Sequence, residues 1–132
     1  TRQVREPRWL AHEAVLNVHE DALREHGGAS GVRDENLLDS GLSRARNAFL
    51  HGEEDFCVLA ALYAAGVVKN HPFVDGNKRT GFLCAAVFLE LNGLRFTAPE
   101  AEVVAMTLAL AASEADAGAY AAWLRDNVET AE

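Results

Sequence analysis

Basic residues are scarce in this chain. Twelve Lys and Arg stand against 20 Asp and Glu, a formal net charge of -8. A broad acidic surface is therefore expected, without nonspecific attraction to nucleic acid or to an anionic membrane. Cysteine is almost missing as well. Cys57 and Cys84 lack the CxxC or Cys/His spacing of a zinc or redox site and read as two buried free thiols of a reducing cytoplasm. Long apolar runs are broken by Lys69, Asn70 and Glu90, which leaves no membrane span. The opening Thr-Arg-Gln-Val-Arg has no apolar core of a secretory signal, so a cytoplasmic location is expected. No GxSxG elbow and no HExxH zinc helix occur. Low-complexity segments, repeats and linkers are absent too.

What is present is enough apolar residue, 49% of 132 positions, to build a real core. The pattern is helical, and the expectation is an all-α fold in which residues 1–132 form one domain of about six helices. A first helix is expected from about Pro7 to His26, ended by Gly27-Gly28, with Leu10, Ala14, Leu16, Val18 and Leu23 as its stripe. Asp34 is a plausible N-cap for a second, with Leu37, Leu38, Leu42 and Ala45 inward. Asp55 can cap a third that runs to Lys69 and is apolar on every face; residues 80–91 are nearly as apolar, ending at Asn92-Gly93. Helices of this kind are normally buried. Residues 94–98 read as a short extended piece. Pro99, with Glu100 and Glu102, opens a fifth helix, and a last one spans roughly 118–128 with Tyr120 and Trp123 inward. Two central helices wrapped by four others is the result.

Between the two central helices lies His71-Pro-Phe-Val-Asp-Gly-Asn-Lys-Arg-Thr80. No other stretch concentrates so much chemistry. Pro72 stops the third helix, because the residue before a proline disfavours helical dihedrals. Gly76 permits a tight turn. Asn77, Lys78 and Arg79 then fall on the first turn of the next helix, where backbone N–H groups lack partners and the dipole is positive; with two cationic side chains this is an anion site. His71 can take a proton from an attacking hydroxyl. Asp75 is a hard oxygen ligand placed for a Mg²⁺ that bridges nucleotide phosphates. Together these are the parts needed to move a phosphate-linked group from a nucleotide to a hydroxyl. Gly76-Asn-Lys-Arg-Thr80 is not a P-loop ending, since no earlier glycine has the spacing and no strand precedes it.

Plainer roles exist for the same residues: His71 as a helix-ending core histidine, Asp75 as a cap, Lys78 and Arg79 as surface charges. His12, His19 and His26 recur every seven residues, but partners so spaced lie about 10 Å apart along a helix, too far to share a metal. A solvated face is the expectation for them, as for Glu13, Glu20 and Asp21. Trp9 and Trp123 read as core.

HPFVDGNKR resembles the Fic/Doc superfamily pattern HxFx(D/E)GN(G/K)R throughout, and Lys78 stands where the Doc (death-on-curing) branch has lysine. Gly27-Gly28-Ala-Ser-Gly31-Val-Arg33-Asp34 with Leu37-Leu38, and Phe88-Leu-Glu-Leu-Asn92-Gly93, are similar to flanking Doc signatures, so that the resemblance covers about residues 10–125. It implies His71 as catalytic base, Asp75 as Mg²⁺ ligand, and Gly76, Asn77, Lys78 and Arg79 as the nucleotide-phosphate site, with ATP and Mg²⁺ as cofactors. Fic enzymes transfer AMP to a protein hydroxyl. Doc resembles a kinase that binds the nucleotide reversed and phosphorylates a threonine of elongation factor Tu, stopping translation; a Phd antitoxin neutralises it. Three departures matter. Phe82 replaces the second arginine of AMP-transferring members. The self-inhibitory (S/T)xxxE(G/N) motif is missing, because Gly31 holds the Ser/Thr position before Glu35-Asn36. Leu83 stands where the Doc pattern has asparagine. The expected function is thus a Doc-like toxin kinase acting on a target protein, with a Phd-like antitoxin as partner and no direct nucleic acid or membrane contact. A Fic-type AMP transferase and an inactive antitoxin-binding module are the alternatives.

Overall fold

The computed structural model describes residues 5–131; residues 1–4 and 132, which include most of the stretch read above for a signal, lie outside them. Among the described residues six helices form: α1 (His12–His26), α2 (Glu35–Leu50), α3 (Phe56–Asn70), α4 (Asn77–Leu91), α5 (Glu100–Ala111) and α6 (Ala117–Asp126). Two short strands, β1 (Leu94–Phe96) and β2 (Val128–Thr130), pair antiparallel with Phe96 opposite Val128. The fold is all-α, as the pattern implies. Among the described residues no helix is long and apolar enough to cross a membrane.

Helices α3 and α4 pack on each other at the centre; α2 and α6 lie on α3, and α1 and α5 on α4. Ten of the 15 residues of α3 are buried, which is why its sequence shows no polar face. Tyr63, Phe73 and Phe88 fill the middle with leucines from the outer helices. Both cysteines are unpaired and buried. Burial pushes both thiols up, that of Cys84 to about 12, so neither is a ready nucleophile.

Two boundaries and one buried face differ from the sequence pattern, the boundaries through non-local contacts. First, α1 begins at His12 rather than near Pro7. The Arg8 N–H donates to Asn92 Oδ1 (2.8 Å) and its carbonyl accepts from Asn92 Nδ2 (3.0 Å), while the Leu10 N–H donates to the Tyr63 hydroxyl (3.2 Å). Partners 84 and 53 residues away thus hold residues 8–10 out of the helix. Second, the buried stripe of α1 is Val15, His19, Ala22 and Leu23, at i, i+4, i+7 and i+8, not the row through Ala14, Leu16 and Val18. Third, α6 stops at Asp126 so that residues 128–130 can pair with β1.

Asp55 caps α3, accepting from the Cys57 and Val58 N–H groups (2.8 and 3.4 Å), and pairs with Arg125 of α6. Partial burial pushes its carboxyl up, but the Arg125 hydrogen bond and charge and the two amides outweigh this, and the net shift is downward. A carboxylate depressed on folding stabilises above its unfolded value, near 4, and that stability is lost as pH falls through the folded value. Asp55→Asn keeps a capping side chain and loses the ion pair. Because the pair is largely exposed, the expected loss at pH 7 is below about 1 kcal/mol. Urea titrations at pH 7 and at successively lower pH should show the variant weaker at the first and the gap closing as the pH falls.

Candidate active site

The chain leaves α3 at His71, as Pro72 requires, but through left-handed rather than extended backbone (φ 54°, ψ 53°). A non-glycine residue there costs roughly 1–3 kcal/mol and persists only when its surroundings enforce it. The enforcement comes from Arg33. Its Nε donates to the His71 carbonyl (2.9 Å) and its terminal nitrogen to the Asn70 carbonyl (3.2 Å), capping the end of α3. The Arg33 and Asp34 N–H groups both donate to the Pro72 carbonyl (2.7 and 3.1 Å), Val32 bridges to Phe73, and the Val74 N–H donates to the Gly31 carbonyl (3.0 Å). The loop between α1 and α2 is therefore stitched along residues 71–74. The His71 side chain is exposed and makes no hydrogen bond among the described residues, which leaves its imidazole free to meet a hydroxyl.

Asp75 turns the chain toward α4. Its carboxylate accepts from the Gly76 N–H (2.9 Å) and more weakly from the Ala29 N–H (3.3 Å), and stays exposed on its other side. Gly28 makes room for it: with φ at +122°, a Cβ there would stand 2.9 Å from Asp75 Oδ2. Among the described residues no group of three His, Cys, Asp or Glu could hold a metal. A metal held through Asp75 would need most of its ligands from phosphate and water, the habit of Mg²⁺ rather than zinc. The single hard carboxylate fits that ion.

Gly76, left-handed at φ 77°, is the N-cap of α4, and no side chain caps this end among the described residues. The first helical bond runs from the Thr80 N–H to the Gly76 carbonyl (3.0 Å), so the N–H groups of Asn77, Lys78 and Arg79 precede the helical ladder and carry the positive end of its dipole. Lys78 is exposed and faces no carboxylate within ion-pair range among the described residues. Arg79 is half-buried, 3.9 Å from Glu100 at the start of α5. The Asn77 side chain does something else: it is buried, accepting from the Phe73 N–H (2.9 Å) and donating to the Phe73 carbonyl (3.0 Å). Its buried amide braces the loop, and its backbone N–H remains for an anion. Beside Lys78 and Arg79 opens a groove of about 440 Å³ walled by Phe82, Phe96, Val104 and Leu108. Phe82, half-buried, meets Phe96 edge to face at 5.3 Å.

One residue contradicts its sequence reading. His19 is not on a solvated face; it is 2% exposed. Its ring lies parallel to Phe73 at 3.8 Å, and its Nε2 is 2.8 Å from the Asp75 carbonyl. Its place in the i, i+4, i+7, i+8 stripe with Val15, Ala22 and Leu23 was the available signal. Arg33 had no comparable signal, since its partners lie 37 and 38 residues away.

Comparison with known proteins finds relatives of the chain. The profile of the Fic/DOC family matches residues 9–89. A protein named Toxin Doc from Mycolicibacterium smegmatis is 39% identical over 93 residues, covering 68% of this chain and 68% of that protein. Protein kinase doc of Escherichia phage P1 is 28% identical over 120 residues, covering 89% of this chain and 94% of its own length.

Proposed function

The chain belongs to the Fic/DOC family, and from that premise we propose that it is a toxin-type protein kinase of the Doc kind, moving the γ-phosphate of ATP to a hydroxyl of a target protein. The observation that carries the reading is the uncapped N-terminus of α4, with Lys78 and Arg79 on its first turn and His71 and Asp75 on the loop that feeds it. The N–H groups of residues 77–79 and the two cations bind and orient the phosphates. Asp75 would hold Mg²⁺, which would neutralise phosphate charge. His71 accepts the proton of the target hydroxyl as its oxygen attacks the γ-phosphorus; the bond to the bridging oxygen breaks and ADP leaves. Phe82, apolar where AMP-transferring members have arginine, favours γ-transfer over AMP transfer. By family resemblance the target is a threonine of elongation factor Tu, translation is the process blocked, the cytoplasm is where it acts, and a Phd-like antitoxin restrains it.

Labelling of a bacterial lysate with Mg²⁺ and ATP, carrying label on either the γ- or the α-phosphate, tests this. One protein band taking γ-label is the expected result, and that band names the target. Transfer of α-label would instead make the chain an AMP transferase, and no transfer would leave an antitoxin-binding module. The site itself is tested by binding. Arg79→Glu removes a cation and sets a second acid beside Glu100. With charge-assisted bonds worth about 1.5–3 kcal/mol each, ATP affinity should fall at least about 100-fold. Asp75→Asn should retain Mg²⁺-free ATP binding and lose most of the strengthening by Mg²⁺. Unchanged affinity in both variants, read by calorimetry, would refute the site.

A further inference from the structure

We propose that His19 is a positioning residue that fixes the direction of the Asp75 carboxylate; the inference rests on the metal-binding reading of Asp75 above. A polar ring in a helical core costs free energy unless it is hydrogen-bonded. The bond that His19 makes goes to the functional loop, from Nε2 to the Asp75 carbonyl at 2.8 Å. A carbonyl oxygen can only accept, so Nε2 carries the hydrogen. The Asp75 carbonyl and the Gly76 N–H belong to one peptide unit, and that unit is held at both ends: His19 binds its C=O, and Asp75 Oδ1 binds its N–H at 2.9 Å. The plane of the peptide thus sets where the carboxylate stands, and His19 sets the plane. The imidazole is itself fixed by lying flat on Phe73, 3.8 Å between centroids and 12° from parallel, while Phe73 is clamped by both ends of the Asn77 amide. Without the His19 donor the peptide can turn, and the Gly76 N–H no longer points at the carboxylate. The effect reaches the metal through Asp75; His19 touches neither nucleotide nor target.

Two substitutions separate the donor from the ring. His19→Phe keeps an aromatic ring on Phe73 and removes the N–H. His19→Gln supplies an amide N–H of similar reach and removes the ring. Amide hydrogen exchange at Gly76 and Val74 is measured on the nucleotide-free chain, and Mn²⁺ binding in the presence of ATP by electron paramagnetic resonance. In His19→Phe, exchange at Gly76 should quicken about tenfold or more, and Mn²⁺ affinity should fall about tenfold, the usual scale for losing a partner that orients a metal ligand. ATP binding without metal should stay within about twofold. His19→Gln should restore both readings to within about threefold of the parent. A Phe variant indistinguishable from the parent overturns the proposal, since ring packing would then be the whole role; a Gln variant as impaired as Phe overturns it as well, since a donor at this place would not hold the carboxylate. A parent chain that binds no ATP overturns the reading beneath it. That outcome is told apart because the exchange contrast between variants is read without nucleotide.

Discussion

Replacing His71 by alanine is expected to leave ATP bound and to slow phosphoryl transfer by about 10²–10⁴-fold, the range for removing a positioned general base. The two halves of this expectation come from different parts of the loop. In the proposed reading phosphate binding belongs to the N–H groups of residues 77–79 and to Lys78 and Arg79, on the far side of Gly76, and His71 takes no part in it. The substitution is also structurally mild. The His71 side chain is exposed and makes no hydrogen bond among the described residues. The left-handed turn is held through its backbone, by Arg33 Nε on its carbonyl and by its own N–H on the Val67 carbonyl at 3.0 Å. Alanine lacks histidine's enrichment in the left-handed region, so a small fall in melting temperature is expected. The checks are single-turnover transfer to the labelled target, calorimetry with ATP and Mg²⁺, and growth of cells expressing the variant. A variant that transfers at the parental rate would remove His71 from the chemistry; one that loses ATP binding would show the loop reorganised.

The chemical character of the loop between α3 and α4 was legible in the sequence because its parts are contiguous. A histidine before a proline, a carboxylate, a glycine and two cations at the start of an apolar helix each carry a local meaning, and local rules end one helix and start the next where the structure does, although His71 leaves in left-handed rather than extended backbone. The centre of the fold was legible for a similar reason, since helices apolar on every face have nowhere to go but inside. What was not legible depends on chain distance. Residues 8–10 favour a helix locally, yet Asn92 and Tyr63 take their backbone groups. Val128 reads as the end of the last helix, yet it opens the strand that pairs with β1. The heptad row His12, His19, His26 has one meaning as a repeat and another as a stripe; only Val15, Ala22 and Leu23 around it show that His19 faces inward. Asn77 was placed on the first turn correctly, but its side chain spends both polar atoms on Phe73. Spacing alone does not separate a brace from a ligand.

The largest effect on stability is expected from Gly66→Ala. Helices α2 and α3 cross at Gly41 and Gly66 with their backbones in contact. A Cβ on Gly66 would lie 2.2 Å from the Gly41 carbonyl oxygen and 2.9 Å from its Cα, and a Cβ on Gly41 would lie 2.6 Å from the Gly66 carbonyl oxygen. Neither obstacle is a side chain that can rotate away, so the helices must part. Parting opens the seam that buries Leu38 and Ala45. It also stretches the bonds from Asn70 Nδ2 to the Leu37 carbonyl and to Ser40 Oγ, both 2.9 Å. Alanine's better helix propensity returns at most about 1 kcal/mol. A net loss of about 3–5 kcal/mol is expected, at the exceptional end for one substitution and a large share of the roughly 5–15 kcal/mol that holds a domain together. Gly41→Ala should cost a similar amount, since it meets the same wall from the other side. Gly118→Ala is the control: its Cβ approaches only Asp116 Oδ1, at 3.4 Å, so it should be neutral or mildly stabilising. Urea unfolding of the three variants is the measurement. The same crossing carries the C-terminal end of α3, where Asn70 and His71 meet Arg33, so a Gly66→Ala chain that still folds at low temperature should also lose transfer activity. A Gly66→Ala chain within about 1 kcal/mol of the parent would mean that α2 slides on α3 at little cost, and that the position of His71 does not depend on their contact.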